Sequence, residues 1–247
     1  MKTTDNTVLI TGGGSGIGLA IASALAQKGN RIIITGRNEA KLKAAAATLP
    51  NTTPIVSDIT NADDVDQLIK QINADFGGID ILVNNAGTAF AYQLSATADA
   101  YGKAKQEMEV NYFSIIRLTE KLLPTLAEKE ESAIVNISSV AAFVPIQFIA
   151  TYSATKAALH AYTQTLRLTL EQTTPTLKVF EVFPPFVATE MTKGLTIPML
   201  PPSAVADDLL AGLAQDQFEI KTGATKDMYQ HYLSSPEAAV RTYNSAA

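Results

Sequence analysis

Thr11-Gly12-Gly13-Gly14-Ser15-Gly16-Ile17-Gly18 directly follows an apolar run, Val8-Leu9-Ile10, and opens an apolar helical pattern. A strand that turns at once into a helix needs positive φ and close backbone approach, and glycine supplies both at low cost. The N-terminus of the helix beyond it offers unpaired N–H groups and the positive end of a dipole, which suits a phosphate pair. The spacing of Gly12, Gly16 and Gly18 reads G-x-x-x-G-x-G rather than G-x-G-x-x-G. A P-loop is excluded, because Gly13-x-x-x-x-Gly18 runs into Leu19-Ala20 instead of Lys followed by Ser or Thr. Two readings fit the turn alone: a bare strand–helix corner, or a dinucleotide cradle built from Gly12, Gly14, Ser15, Gly16, Ile17 and Gly18.

Further along, β-branched runs alternate with helical patterns. The runs Val8–Ile10, Arg31–Thr35, Thr53–Val56, Ile81–Asn84, Ala133–Ile137, Lys178–Phe183 and, more weakly, Phe218–Lys221 read as strands. Gly18–Lys28, Asn38–Thr48, Ala62–Phe76, Lys103–Leu126, Ser153–Gln172 and Ala204–Ala214 read as helices between them. Such alternation predicts an α/β fold: one parallel sheet of about seven strands with helices on both faces. The 247 residues suit one domain over 1–247, and 47% hydrophobic content is enough to bury such a sheet. The net charge of −5 argues against a nucleic-acid binder. The lack of cysteine excludes disulfides, thiolate catalysis and cysteine–zinc sites, and His160 and His231 do not make a metal cluster. Met1–Asn6 is polar, and the longest apolar stretch, Val140–Ala150, is broken by Pro145 and Gln147. A cytoplasmic protein with no metal and no membrane partner is the expectation.

A second constellation is Ser139 followed by Tyr152-Ser153-Ala154-Thr155-Lys156. Lys156 stands at i+4 from Tyr152, one helical turn away on the same face. A phenol's ordinary pKa is near 10, and a neighbouring ammonium favours its phenolate, bringing the proton toward the working pH. Taken alone, Tyr-x-x-x-Lys also fits a surface pair on a helix, and Ser138 competes with Ser139.

With Thr11-Gly12…Gly16-Ile17-Gly18, Asn84-Asn85-Ala86-Gly87, Asn111, Asn136-Ile137-Ser138-Ser139 and Tyr152…Lys156 in this order, the chain resembles the short-chain dehydrogenase/reductase family over nearly its whole length. The resemblance implies a Rossmann-like doubly wound sheet, a nicotinamide cofactor and hydride transfer between a carbonyl and an alcohol. It implies Tyr152 as general acid/base, Ser139 as the group orienting the substrate oxygen and Lys156 as the ribose-holding ammonium. Asn111 is implied to bend its helix and carry a water relay. Asn85, Ala86 and Gly87 would pack beside the cofactor, and Val187 and Thr189 would hold its carboxamide.

The second strand, Arg31–Thr35, ends in Gly36-Arg37-Asn38 where an NAD site has an acidic residue. A guanidinium there suits a 2′-phosphate, so NADP(H) is expected over NAD(H), with Asn38 as a further contact. Asp58 resembles the family residue that accepts from the adenine amino group, with Ile59 beside it; a local Asx turn, with Thr60 capping the next helix, is compatible.

Two features depart from the family pattern. Pro185 stands where a glycine is common and cannot adopt positive φ, which alters the loop next to the nicotinamide. The tail, residues 224–247, is unlike that of acyl-carrier-protein ketoreductases and closer to a bacterial branch named for the lipoteichoic-acid D-alanylation operon. Glu190–Pro202 mixes apolar residues with Gly194 and three prolines and reads as a lid over a small-to-medium, uncharged substrate, or as a subunit contact. Phe143, Phe148, Phe186, Phe90 and Tyr92 are candidates to line its pocket, and each equally fits the core. Ala157, Ala158, Ala161 and Leu166 offer a small-residue face for a homodimer or homotetramer. The competing functions are a catalytically idle nucleotide-sensing or partner-binding member of the fold, an NAD-dependent alcohol dehydrogenase, and an isomerase or dehydratase on the same scaffold.

Overall fold

The apolar runs form strands covered on both sides, so their side chains alternate between two cores rather than between core and solvent. They are β1 (Thr7–Thr11), β2 (Arg31–Gly36), β3 (Thr52–Val56), β4 (Ile81–Asn84), β5 (Ser132–Ile137), β6 (Leu177–Phe183) and β7 (Glu219–Lys221). All pair in parallel, in the order β3-β2-β1-β4-β5-β6-β7. The computed structural model describes residues 1–245, so the last two residues of the expected span 1–247 lie outside the described residues.

Val8 and Ile10 of β1, with Ile32 and Ile34 of β2, pack under α1 (Gly16–Ala26), α2 (Glu39–Ala46) and α7 (Pro202–Ala214). Leu9, Ile33, Leu82 and Ile134 meet the opposite layer: α3 (Ala62–Phe76), α5 (Ser114–Ala127) and α6 (Ala150–Thr173). This is the doubly wound, Rossmann-like sheet expected from the sequence. Its strand order reverses between β1 and β4, and at such a switch point the carboxyl ends of the strands leave a crevice. No helix among the described residues is long and apolar enough to cross a membrane.

The helix expected over Lys103–Leu126 is instead three pieces: α4 (Ala100–Met108), a π turn at Glu109–Phe113, and α5. Asn111 sits inside the π turn, fully buried, so the bend expected there is a local widening of the helix. A second correction concerns α3. Its cap is Asn61, whose side chain accepts from the backbone N–H groups of Asp63 and Asp64; Thr60 instead donates twice to Asp58.

The tail forms α8 (Thr225–Ser234) and α9 (Pro236–Asn244), neither read from the sequence. Together they bury an aromatic cluster. Phe143 lies 4.6 Å from both Phe183 and Tyr229 and 4.9 Å from the His160 ring, measured between centroids. Of the two places open to it, pocket wall or core, Phe143 takes the core. At the end of α9, Asn244 accepts from Gln147 N at 2.6 Å and donates to the Pro145 carbonyl at 2.9 Å, tying the tail to the loop ahead of α6.

Truncating Phe143 to alanine is expected to destabilise the protein by about 3–5 kcal/mol through the cavity left behind. Urea unfolding measures it, and a loss below about 1 kcal/mol would remove Phe143 from the core.

Candidate active site

At the end of β1 two glycines take positive φ, Gly12 at 65° and Gly16 at 55°. A Cβ on Gly12 would sit 3.0 Å from Ala86 Cα, and one on Gly16 would sit 3.1 Å from Thr189 Cγ2. The turn is thus pressed between the loop after β4 and the loop after β6. Gly18 serves differently from its expected role: it faces away from the cleft, and a side chain there would collide with the Asn85 amide and the Gly12 carbonyl. Its bareness lets α1 approach the Gly12 turn and the loop after β4.

A cleft of about 580 Å³ runs across the carboxyl ends of the strands. Gly12, Gly14, Ser15, Gly16 and Ile17 line it, with Asn85, Ala86 and Gly87 opposite and Val187 and Thr189 over them. At one end stand Arg37, Asn38, Asp58 and Ile59, joined by Lys41. Asn38 caps α2 by accepting from Lys41 N at 2.9 Å, which places Lys41 in the first turn and beside Arg37 at the cleft. Sequence reasoning missed Lys41; its only signal was its place three residues after the cap. Burial alone would raise the Asp58 carboxyl, but hydrogen bonds from Thr60 and the Arg37 charge bring it below the ordinary aspartate value. Glycines at positive φ, an open helix N-terminus and two cations at one end are the donor set a dinucleotide phosphate needs, so these residues fit that group.

The other end holds Ser139, Tyr152 and Lys156. Tyr152 and Lys156 come from the first turns of α6, and both serines after β5 line the cleft; the Ser138 hydroxyl is buried, while Ser139 is the one hydrogen-bonded to Tyr152. The Lys156 ammonium lies 5.6 Å from the Tyr152 ring centroid and donates to the Ile137 carbonyl at 2.8 Å. Burial pushes the Lys156 pKa down to about 8, opposed by the negative charge of Glu181. Burial pushes the Tyr152 phenol up to about 12, against the hydrogen bond from Ser139 and with the Glu107 charge adding to the rise. The depression of the Tyr152 pKa is expected from Lys156 together with an oxidised nicotinamide ring; in the free protein desolvation of the phenolate sets the direction.

Asn111 does not reach the cleft. Its side chain accepts from Thr88 N at 2.9 Å and donates to the Thr88 carbonyl at 2.8 Å and the Thr155 hydroxyl at 3.1 Å. It therefore fastens the loop after β4 to α6. Glu107, one helical turn earlier and fully buried, accepts from Phe90 N at 2.7 Å and holds the same loop. Sequence reasoning missed it, since a lone Glu in a helical pattern reads as solvated surface.

Around Tyr152 the wall is apolar: Ala89, Val110, Ile146, Phe148, Phe186 and Met191 among others. Phe148 and Phe186 stack at 6.1 Å with 14° between their planes. Phe90 and Tyr92, expected beside them, lie outside the lining; Tyr92 instead bonds Thr151 through its hydroxyl at 2.8 Å. After Pro184-Pro185 the chain runs back through a parallel bridge between Val187 and Leu200, which anchors both ends of the Glu190–Pro202 segment. No group of three or more metal-ligating side chains is present among the described residues.

A model of the family described as short chain dehydrogenase matches residues 6–198. A Bacillus subtilis (strain 168) protein named uncharacterized oxidoreductase DltE is 35% identical over 89% of each chain. A short chain dehydrogenase from Burkholderia cenocepacia J2315, solved in complex with NADP, superposes with a TM-score of 0.87 at 27% identity, over 98% of this chain and 99% of its own. The 3-ketoacyl-(acyl-carrier-protein) reductase of Brucella melitensis, solved with NADH, gives 0.83 at 25% identity, over 91% of this chain and 99% of its own.

Lys156 carries a stability cost with a defined pH signature. Its folded pKa lies below the ordinary lysine value, so the unfolded chain binds more protons between about pH 8 and 10.5, and this group's penalty fades as pH rises through that window. Lys156→Met is expected to stabilise the protein by about 1–3 kcal/mol at pH 7, with little gain above about pH 10.5. Urea unfolding across pH measures it, and a pH-independent difference would contradict the assignment.

Proposed function

The chain belongs to the short-chain dehydrogenase family, and on that premise we propose that it reduces an uncharged carbonyl compound with NADPH, or oxidises the matching alcohol with NADP⁺. The observation that carries this reading is the meeting of Ser139, Tyr152 and Lys156 at the apolar end of the cleft that begins at Arg37 and Lys41. The nicotinamide, when bound, supplies or accepts the hydride at the carbonyl carbon. The chain's own residues do the rest. Ser139 donates a hydrogen bond to the substrate oxygen and orients it. Tyr152 gives its phenolic proton to that oxygen in reduction and takes it back in oxidation. Lys156 holds the ribose and lends positive charge to the phenolate. Asn111 keeps the loop after β4 in register with α6 behind them.

Arg37 and Lys41 support the NADP(H) preference, because two cations beside the adenosine end match a 2′-phosphate and the acidic residue of an NAD site is missing. The apolar wall and the stacked pair Phe148 and Phe186 support a small-to-medium, uncharged substrate. The idle-sensor reading has no such support, since pure binding gives no reason for the Ser139–Tyr152–Lys156 alignment.

Fluorescence titration is expected to show NADPH binding that Arg37→Ala weakens about 10- to 100-fold, with NADH affinity unchanged within about twofold. In a carbonyl screen with the preferred cofactor, Tyr152→Phe is expected to lower kcat by about 10²- to 10⁴-fold while cofactor affinity holds. Equal loss of NADH binding would overturn the 2′-phosphate site, and an active Tyr152→Phe would overturn the general acid.

A homodimer or homotetramer is part of the same proposal. Phe113 is 49% and Leu168 59% exposed on the outer side of the two long helical segments, and Ala157 and Ala161 are exposed on α6. Leu166, expected in that face, packs mostly inward against the second core. Sedimentation velocity is expected to give a multiple of 26.3 kDa; a monomer at micromolar concentration would refute it.

A further inference from the structure

The connection from β3 to α3 carries Asp58 and Ile59, which line the adenosine end of the cleft. Short local bonds give it its shape. Asp58 Oδ1 accepts from the Thr60 backbone N–H at 2.9 Å and from the Thr60 hydroxyl at 2.8 Å. Asp58 N donates to the Asp64 carboxylate at 2.8 Å, and Ser57 N donates to the Gly36 carbonyl at 3.1 Å. These bonds tie the loop to itself, to β2 and to α3. The backbone ladder of α3 starts at Asn61, whose carbonyl accepts from Val65 N at 3.1 Å. The carbonyls of Ile59 and Thr60 precede that ladder, so their partners must come from elsewhere.

Arg117 of α5 supplies one. Its Nη1 donates to the Thr60 carbonyl at 3.1 Å and to the Ile59 carbonyl at 3.4 Å, and its Nη2 donates to Glu109 Oε1 at 3.4 Å. Glu109 opens the π turn that also holds Asn111. Arg117 itself lies outside the cleft lining.

We propose that Arg117 is the latch of the adenosine end: a positioning residue that fixes the loop of Asp58 and Ile59 to α5 and touches no part of the dinucleotide. The inference rests on the reading of the cleft as a cofactor site and adds to it a residue outside the cleft.

The residue type, its exposure and its mounting all support this role. A guanidinium is a rigid fork of five donors, so one side chain can serve two successive carbonyls and a carboxylate at once. The Arg117 side chain is 31% exposed and Glu109 40%, so their ion pair alone contributes little, and the directed bonds to the carbonyls matter more. The support is rigid, because the next residue, Leu118, is buried in the second core with Leu122 and with Val65 and Leu68 of α3. The same helical run holds the other loop of the cleft, through Glu107 to Phe90 N and Asn111 to Thr88 N. One run of helix thus sets both the loop after β3 and the loop after β4. A loop already held in place is ordering that the cofactor need not supply when it binds.

Arg117→Met keeps the length of the side chain and loses its donors. Hydrogen exchange of the cofactor-free protein, read by mass spectrometry on peptides spanning residues 57–61, is expected to run about tenfold faster in this variant, with the peptides of α1 and β4 unchanged. In fluorescence titrations NADPH and NADH are expected to bind about 5- to 20-fold more weakly, with the ratio of the two affinities within about twofold of the parent. Reduced nicotinamide mononucleotide, which lacks the adenosine half, is expected to bind parent and variant alike within about twofold, whereas a general loss of structure would weaken it too. Unchanged exchange or unchanged dinucleotide binding in Arg117→Met overturns the proposal, and so does an equal loss of mononucleotide binding. Glu109→Gln is expected to stay within about twofold of the parent throughout; damage equal to that of Arg117→Met would make the ion pair the cause and overturn the latch. A parent that binds neither dinucleotide overturns the cofactor reading and the latch's role with it, an outcome visible before any variant is made.

Discussion

The Thr11 hydroxyl at the end of β1 accepts from the backbone N–H groups of Asn85 and Ala86 beyond β4, at 3.0 Å each, and the Asn85 amide donates in return to the Thr11 carbonyl at 2.9 Å. These bonds clamp together the two strands between which the sheet changes direction. A crevice at a switch point is only as well defined as the distance between its two lips. Here the lips are joined covalently to the glycine turn on one side and to the loop carrying Gly87 and Thr88 on the other. The missing side chain of Gly18 lets the clamp close, and the missing side chains of Gly12 and Gly16 keep the space above it open. The cradle is therefore made by subtraction, with bulk removed where backbones must meet.

That constraint explains what could be read in advance. Local chemistry was legible. A glycine turn, strands buried on both faces and a Tyr-x-x-x-Lys spacing each depend on residues within a few positions of one another, and each stands where it was expected. What resisted reading depends on partners distant in sequence. Phe143 fitted pocket and core alike, because nothing nearby says that Tyr229 will cover it. The tail helices hide in a segment whose aromatic residues follow no plain period and which breaks at Ser235-Pro236. Glu107 and Glu181 look like surface carboxylates until β-register and helix packing enclose them. Gly18 was assigned to the ligand, and the structure gives it to the fold.

The proton-handling end shows the opposite economy from the cradle. Burying a phenol and an ammonium together moves both away from their ordinary behaviour in the free protein, with Tyr152 held as the neutral acid and Lys156 readier to lose its charge. Such a pair is costly in stability and persists because the surrounding layers of the sheet are closely packed. In this sense the long aliphatic rows beneath β1, β2 and β4 sustain a local arrangement that favours function over folding.

The bond from Asn244 to the loop at Pro145 and Gln147 gives the chain an architecture of inheritance. The loop it grips leads into Ile146 and Phe148, two residues of the cleft wall, yet Asn244 lies nearly a hundred positions away and contacts nothing in the cleft. Tails are where relatives of one fold drift most freely in length and composition. By mooring the wall to the tail, this fold lets evolution redraw the outline of its pocket from outside, leaving the acid, its ammonium and the glycine cradle untouched.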